Sequence, residues 1–119
     1  MAKETERSLE QLFTEIVETM NHDPSPFADQ DVVYCFELRG EEGGQFLFTL
    51  SGGKAEITSY STDVEADCIL QMKVSDFKKL ITRQLKGASA FMLGKLKIKG
   101  NLGLALKLDQ LLDHYSFER

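Results

Sequence analysis

From Ala90 to Leu108 the chain reads Ala-Phe-Met-Leu-Gly-Lys-Leu-Lys-Ile-Lys-Gly-Asn-Leu-Gly-Leu-Ala-Leu-Lys-Leu, which sets an apolar helical piece, a strand and a second apolar helix in a row with almost no connecting loop. So tight a series leaves the backbone few ways to fold, because all three pieces must turn their apolar sides toward one interior. Lys95, Lys97 and Lys99 alternate with Leu96 and Ile98, so a strand over 95–99 has one charged, wet face and one face against a core. Gly94 and Gly100 bracket that strand, and Asn101 suits the N-cap of a helix running from Leu102. The block reads as the wall of an apolar pocket.

The rest of the chain supplies the other walls. Leu9, Leu12, Phe13, Ile16, Val17 and Met20 fall at helical spacing, and Ser8 followed by Gln11 three residues later has the form of a capping box. Pro24 and Pro26 end that helix in a polar loop over 21–31. Val32, Tyr34, Phe36 and Leu38 alternate with Val33, Cys35 and Glu37. Glycine-rich turns at 40–44 and 51–53 then reverse the chain into strands over 45–50 and 54–59, a three-stranded meander. Asp67–Val74 reads as a fourth strand, and Ser75 as the cap of a helix with Phe77, Leu80, Ile81 and Leu85 on one face. The order helix, four strands, helices, strand, helix predicts an α+β fold: a five-stranded, mostly antiparallel sheet with helices packed on one face.

Size and charge narrow the function. A chain of 119 residues can bury a core without disulfides or metal, so a single domain over 1–119 is expected, with its core at about 9–115. Lys and Arg number 14 against 19 Asp and Glu, and the net charge of −5 repels polyanions, so no nucleic-acid partner is expected. An anionic membrane would need a local basic patch. The polar start Lys3-Glu4-Thr5-Glu6-Arg7 lacks the apolar region of a leader, and the end Ser116-Phe117-Glu118-Arg119 is not a Ser-Lys-Leu address. No apolar run approaches the roughly 18 residues that span a bilayer. With two unpaired-looking cysteines, Cys35 and Cys68, these features predict a soluble, cytoplasmic protein.

The Ala90–Leu108 block resembles the sterol carrier protein type 2 (SCP2) lipid-transfer domain, whose most characteristic segment is an Ala-Phe-Met-x-Gly-Lys-Leu-Lys-Ile-Lys-Gly run followed by a small-residue-rich amphipathic helix. The likeness extends more loosely from about Leu9 to Leu112, through Phe46-Leu47-Phe48-Thr49-Leu50, Gly52-Gly53 and Glu65-Ala66-Asp67-Cys68-Ile69-Leu70. Asn101 stands where that family usually has Asp, and the Gly87-Ala88-Ser89 connection is shorter than the Pro-containing loop common there. The resemblance implies an apolar cavity between the sheet and the helices, holding a fatty acid, a fatty acyl-CoA or a sterol-like lipid, with no cofactor.

A carrier of that kind needs apolar side chains that line a space without filling it. Candidates for the lining are Phe77, Leu80, Ile81, Phe91, Met92, Leu102, Leu106 and Leu108, with Met20, Met72 and Met92 as adaptable fillers. Lys95, Lys97 and Lys99, extended by Lys107, are candidates for contact with a lipid headgroup or a membrane surface. The same periodicities also fit a filled core, and the lysines also fit a solvated strand face whose charge discourages edge pairing. Exchange of a ligand would require movement of the segment Ala88–Leu93 or of the helix Leu102–Tyr115.

Other chemistries find little support. Cys35 could serve as a thiol nucleophile only with His22 or His114, and neither has a local motif near it. Two Cys and two His without metal-ligand spacing do not predict a zinc site. Gly87 to Gly94 has the wrong spacing for a phosphate-binding loop, and Gly100-Asn101-Leu102-Gly103 matches an RNA-binding GXXG only by letter. Beside the carrier stands a second expectation from another class, an accessory domain that presents lipid to a partner enzyme or regulates it.

Overall fold

The computed structural model describes residues 8–117. The charged start Lys3–Arg7 and the last two residues of Ser116–Arg119, on which the leader and peroxisomal readings rest, lie outside the described residues.

Helix α1 (Leu9–His22) opens on the capping box: Ser8 Oγ accepts from the Gln11 N–H at 3.1 Å while Gln11 Oε1 accepts from the Ser8 N–H at 3.0 Å. Its buried stripe is Leu9, Leu12, Ile16 and Met20. The proline loop does more than end the helix. Pro24 leads into a short 3-10 turn, Ser25–Phe27, that drives Phe27 completely out of solvent.

Strands β1 (Val32–Arg39), β2 (Gly44–Ser51) and β3 (Lys54–Ser59) form the expected meander, followed by β4 (Cys68–Lys73), α2 (Val74–Ile81), α3 (Gly87–Met92), β5 (Lys97–Gly100) and α4 (Leu102–Leu112). The sheet order is β3-β2-β1-β4-β5. Every pair is antiparallel except β1 with β4, which is parallel because β4 returns beside β1 instead of extending the meander. Tyr34, Phe36, Phe48, Leu50, Leu70 and Met72 alternate onto the face that α1, α2 and α4 cover, and all are buried.

Two boundaries differ from the sequence reading. The fifth strand begins at Lys97 and not at Lys95, because the N–H groups of Lys95 and Leu96 both donate to the Ala90 carbonyl, at 2.9 and 3.1 Å, and finish α3. Helix α2 begins at Val74 with Lys73 at the cap, so Ser75 lies inside the first turn and caps nothing: β4 runs straight into the helix. Asn101 does cap α4, its Oδ1 accepting from the Leu104 N–H at 3.2 Å. Gly100 has two reasons to be glycine. Its φ is +94°, and a Cβ there would sit 2.9 Å from the Asp67 carbonyl oxygen.

Two tyrosine hydroxyls pin the helical layer. Tyr34 donates to the Leu104 carbonyl at 2.8 Å, tying the sheet to α4, and Tyr115 donates to the Asp23 carbonyl at 2.7 Å, tying the C-terminal turn to the end of α1. Burial, and then the Asp23 charge, push the Tyr115 hydroxyl up to about 12. Burial also raises Tyr34, with smaller contributions from Cys68 and Asp67. A group held protonated by the fold stabilises it fully below its unfolded pKa, about 10 for tyrosine, and loses that contribution as the unfolded chain ionises. We therefore expect urea midpoints to be flat through neutral pH and to fall between pH 10 and about 12. Tyr115→Phe should remove part of that fall.

Candidate functional site

Between the sheet and the helices lies an apolar cavity of about 40 Å³. Phe36, Phe48, Leu70 and Met72 form its sheet side, while Ile16 of α1, Phe77, Leu80 and Ile81 of α2, and Leu108 and Leu112 of α4 roof it. Its lining exposes no polar surface, and an apolar void of this kind stays dry. The aromatic rings are fixed by one another: Phe36 and Phe77 have centroids 5.0 Å apart, Phe36 and Phe48 5.7 Å, and Phe13 and Phe77 5.8 Å. Ligand pockets run to about 300–1,000 Å³, so the cavity as it stands is too small to hold a lipid-sized molecule.

The structure brings together four of the eight sequence candidates: Phe77, Leu80, Ile81 and Leu108 face the cavity. Phe91, Met92, Leu102 and Leu106 lie elsewhere, being 48 %, 84 %, 49 % and 52 % exposed on α3 and α4. Helix α3 is only six residues long and α4 buries Ala105, Leu108, Leu111 and Leu112, so each has more apolar faces than it has core to cover them. Met20 and Met72 are buried, whereas Met92 is in solvent. Lys95 precedes β5, and Lys97 and Lys99 alternate with the half-buried Ile98, which places both lysines on the sheet face away from the cavity. Sequence reasoning did not find Ile16, Phe36, Phe48, Leu70 and Leu112. All are ordinary core residues by pattern, and only the sheet register and helix packing put them around a void.

An ionic cluster ties the roof helices to one another. Arg83 follows α2 and donates from Nη2 to Asp109 Oδ1 at 3.0 Å and from Nε to Asp113 Oδ1 at 3.1 Å. Asp109 Oδ1 also accepts from the Gly87 N–H at 3.0 Å, so one carboxylate on α4 gathers the end of α2 and the start of α3. A Cβ on Gly87 would lie 2.8 Å from that carboxylate. Gly87→Ala is thus expected to shift the Asp109 carboxylate and weaken its bonds to Gly87 and Arg83, lowering stability by about 1 kcal/mol, read from urea unfolding. Faster hydrogen exchange along α4 should accompany it.

The thiols offer no nucleophile: Cys35 and Cys68 are free and buried, and burial raises both, with Glu37 adding to Cys35 and Asp67 to Cys68. Among the described residues no group of three His, Cys, Asp or Glu could hold a metal ion, and no helix is long and apolar enough to cross a membrane.

Comparison with known proteins agrees with this geometry. The family model described as SCP-2 sterol transfer family matches residues 13–113. Hydroxysteroid dehydrogenase-like protein 2 of Xenopus tropicalis is 45% identical over 80 residues, covering 67% of this chain and 19% of that protein. The protein of that name from Rattus norvegicus is 43% identical over 82 residues, 69% of this chain and 16% of its own length. The chain thus spans less than a fifth of the length of these relatives. Among solved structures, sterol carrier protein domain 2 of Helicoverpa armigera superposes with a TM-score of 0.72 at 26% identity, over 95% of this chain and 91% of that one. With its family model matched along most of its length, its α+β sheet order and its apolar cavity, the chain belongs to the SCP-2 sterol transfer family.

Proposed function

We propose that this chain acts as a single, non-catalytic domain that takes a long apolar molecule, such as a fatty acid, a fatty acyl-CoA or a sterol-like lipid, into the space between sheet and helices. The observation that carries the reading is the fully apolar lining of the cavity at the seam between two separately held layers. An enzyme would aim a polar or titratable group into such a space, and none lines this one. Each buried methylene gains about 0.8 kcal/mol, so a tail of around 14 carbons gains roughly 10 kcal/mol before ordering costs are subtracted. That gain is set against the cost of parting α2 and α4 from the sheet, a mostly apolar contact that the tail would replace in kind. The two free, buried thiols support a reducing compartment such as the cytoplasm.

Native mass spectrometry of freshly purified protein, followed by extraction of bound lipid, tests the proposal. A one-to-one adduct of lipid mass is the expected result. Protein that is always empty, and that also takes up no fluorescent fatty acid, would overturn it.

A second reading is favoured by one specific finding: the matched relatives are several times longer and carry dehydrogenase-like names. In that reading the domain presents lipid to an enzyme, or regulates it, either within one chain or as a partner. A stable complex with an enzyme, formed by the lipid-free protein, is the outcome that separates it from the carrier.

A further inference from the structure

A separate concavity lies away from the lipid cavity, between α1 and the outer edge of the sheet, an open groove of about 780 Å³. Phe13 and Val17 of α1 with Phe46 of β2 and Ile57 of β3 give it an apolar floor. Glu10, Glu18, Glu42 and Glu56 line its sides, and among the described residues no basic side chain does. Of these, Glu42 is engaged already, accepting from the Leu9 N–H at 3.1 Å and from Lys78 Nζ at 3.2 Å.

The groove runs along unpaired backbone. Among the described residues β3 is an edge strand, paired with no strand but β2. At Ala55 the outer edge is closed by a side chain: Asn21 Nδ2 donates to the Ala55 carbonyl at 2.9 Å and Asn21 Oδ1 accepts from the Ala55 N–H at 2.8 Å. Ala55 therefore directs its backbone groups outward, and in an antiparallel ladder residues of the same parity do likewise, which turns Ile57 and Ser59 outward too. The opposite parity turns inward, as the Tyr60 N–H donating to the Gln45 carbonyl at 3.1 Å requires. Helix α1 runs antiparallel to this edge. Asn21 lies at Ala55, and Phe13 meets Phe46 edge to face with ring centroids 4.8 Å apart, Phe46 pairing with Ser59; eight residues of helix and four of strand both span about 12–13 Å.

We propose that this groove receives an extended, basic segment of a partner protein, which adds a strand to β3 beside Ile57 and Ser59 and sets lysine or arginine side chains against Glu56, within the negative field of Glu10 and Glu18. Strand addition draws its affinity from the edge hydrogen bonds and its selectivity from alternate side chains, here apolar toward Phe13 and Ile57 and cationic toward Glu56 on the opposite face. Charge decides the occupant. A second copy of this chain pairing edge to edge would bring its own glutamates against these, and an anionic membrane would be repelled.

The test is an NMR titration of the full chain with a short peptide of alternating lysine and valine. The Ile57 and Ser59 amides should shift and exchange more slowly with solvent, and binding should weaken steeply with salt. A glutamate–valine peptide, or the lysine–valine peptide with a central proline, should bind about tenfold more weakly or worse. Ser59→Pro removes one outward N–H without touching the ladder to β2, so it too should cost about tenfold in peptide affinity. Its effect on fatty acid uptake should be nil, which keeps this surface separate from the lipid site. Failure of the peptide to bind at millimolar concentration would overturn the proposal. So would indifference to both prolines, which would reduce the effect to charge alone, or a dimer formed through this edge.

Discussion

Phe77→Ala is expected to lower the free energy of unfolding by about 3–5 kcal/mol, the largest stability loss of any single truncation around the cavity. Phe77 is 1 % exposed and touches both Phe13 and Phe36, so its removal strips contacts from α1, α2 and the sheet together. Collapse into the gap is hindered, because the neighbouring rings belong to elements fixed by the capping box, the ladder and the Arg83 network. Domains of this kind have about 5–15 kcal/mol in hand, so the variant sits near the edge of folding. Urea unfolding reads the loss. A change below about 1 kcal/mol would mean that the helices settle freely onto the sheet and that the cavity is not a held space. The same variant enlarges the void, so a fatty acid present at about a hundred times its Kd should return about 2.7 kcal/mol of the loss.

That rescue would tie the packing to the proposed function, and it bears on what a sequence can disclose. The elements were legible because each carries its own local signal: Ser8 with Gln11 for α1, alternation for β1 to β4, and Asn101 for α4. The edge was not. That β3 lies outermost follows only from β4 returning to β1, a choice made by long-range packing, and the groove beside α1 exists because of it. Nor was the void legible, for periodicity tells which side chains point inward and says nothing of whether they meet. Phe77 and Leu108 face the cavity while Leu102 and Leu106 face solvent, yet all four sit at helical spacing in apolar stretches. Phe27 was hidden for a different reason: a lone aromatic residue in a polar proline loop has no period to betray it.

Leu108→Trp should lower uptake of a fluorescent fatty acid by about tenfold or more while costing about 1–3 kcal/mol in stability. Leu108 is 6 % exposed and lines the cavity from α4, so an indole there occupies the space a tail would enter. Over-packing alone would also depress binding if it merely loosened the fold, and the comparison with Met92→Ser separates the two. Met92 is 84 % exposed, so its serine variant should keep both stability and uptake within about twofold of the parent. Met92→Ser losing uptake while Leu108→Trp keeps it would place the lipid on the outer surface of α3 and α4. In that case the exposed Phe91, Met92, Leu102 and Leu106 would be the binding surface, and the cavity only an imperfection of packing. If the tryptophan variant alone loses uptake, the tail enters beneath α4, and the Arg83–Asp109 clamp becomes the contact whose breaking sets the rate of exchange.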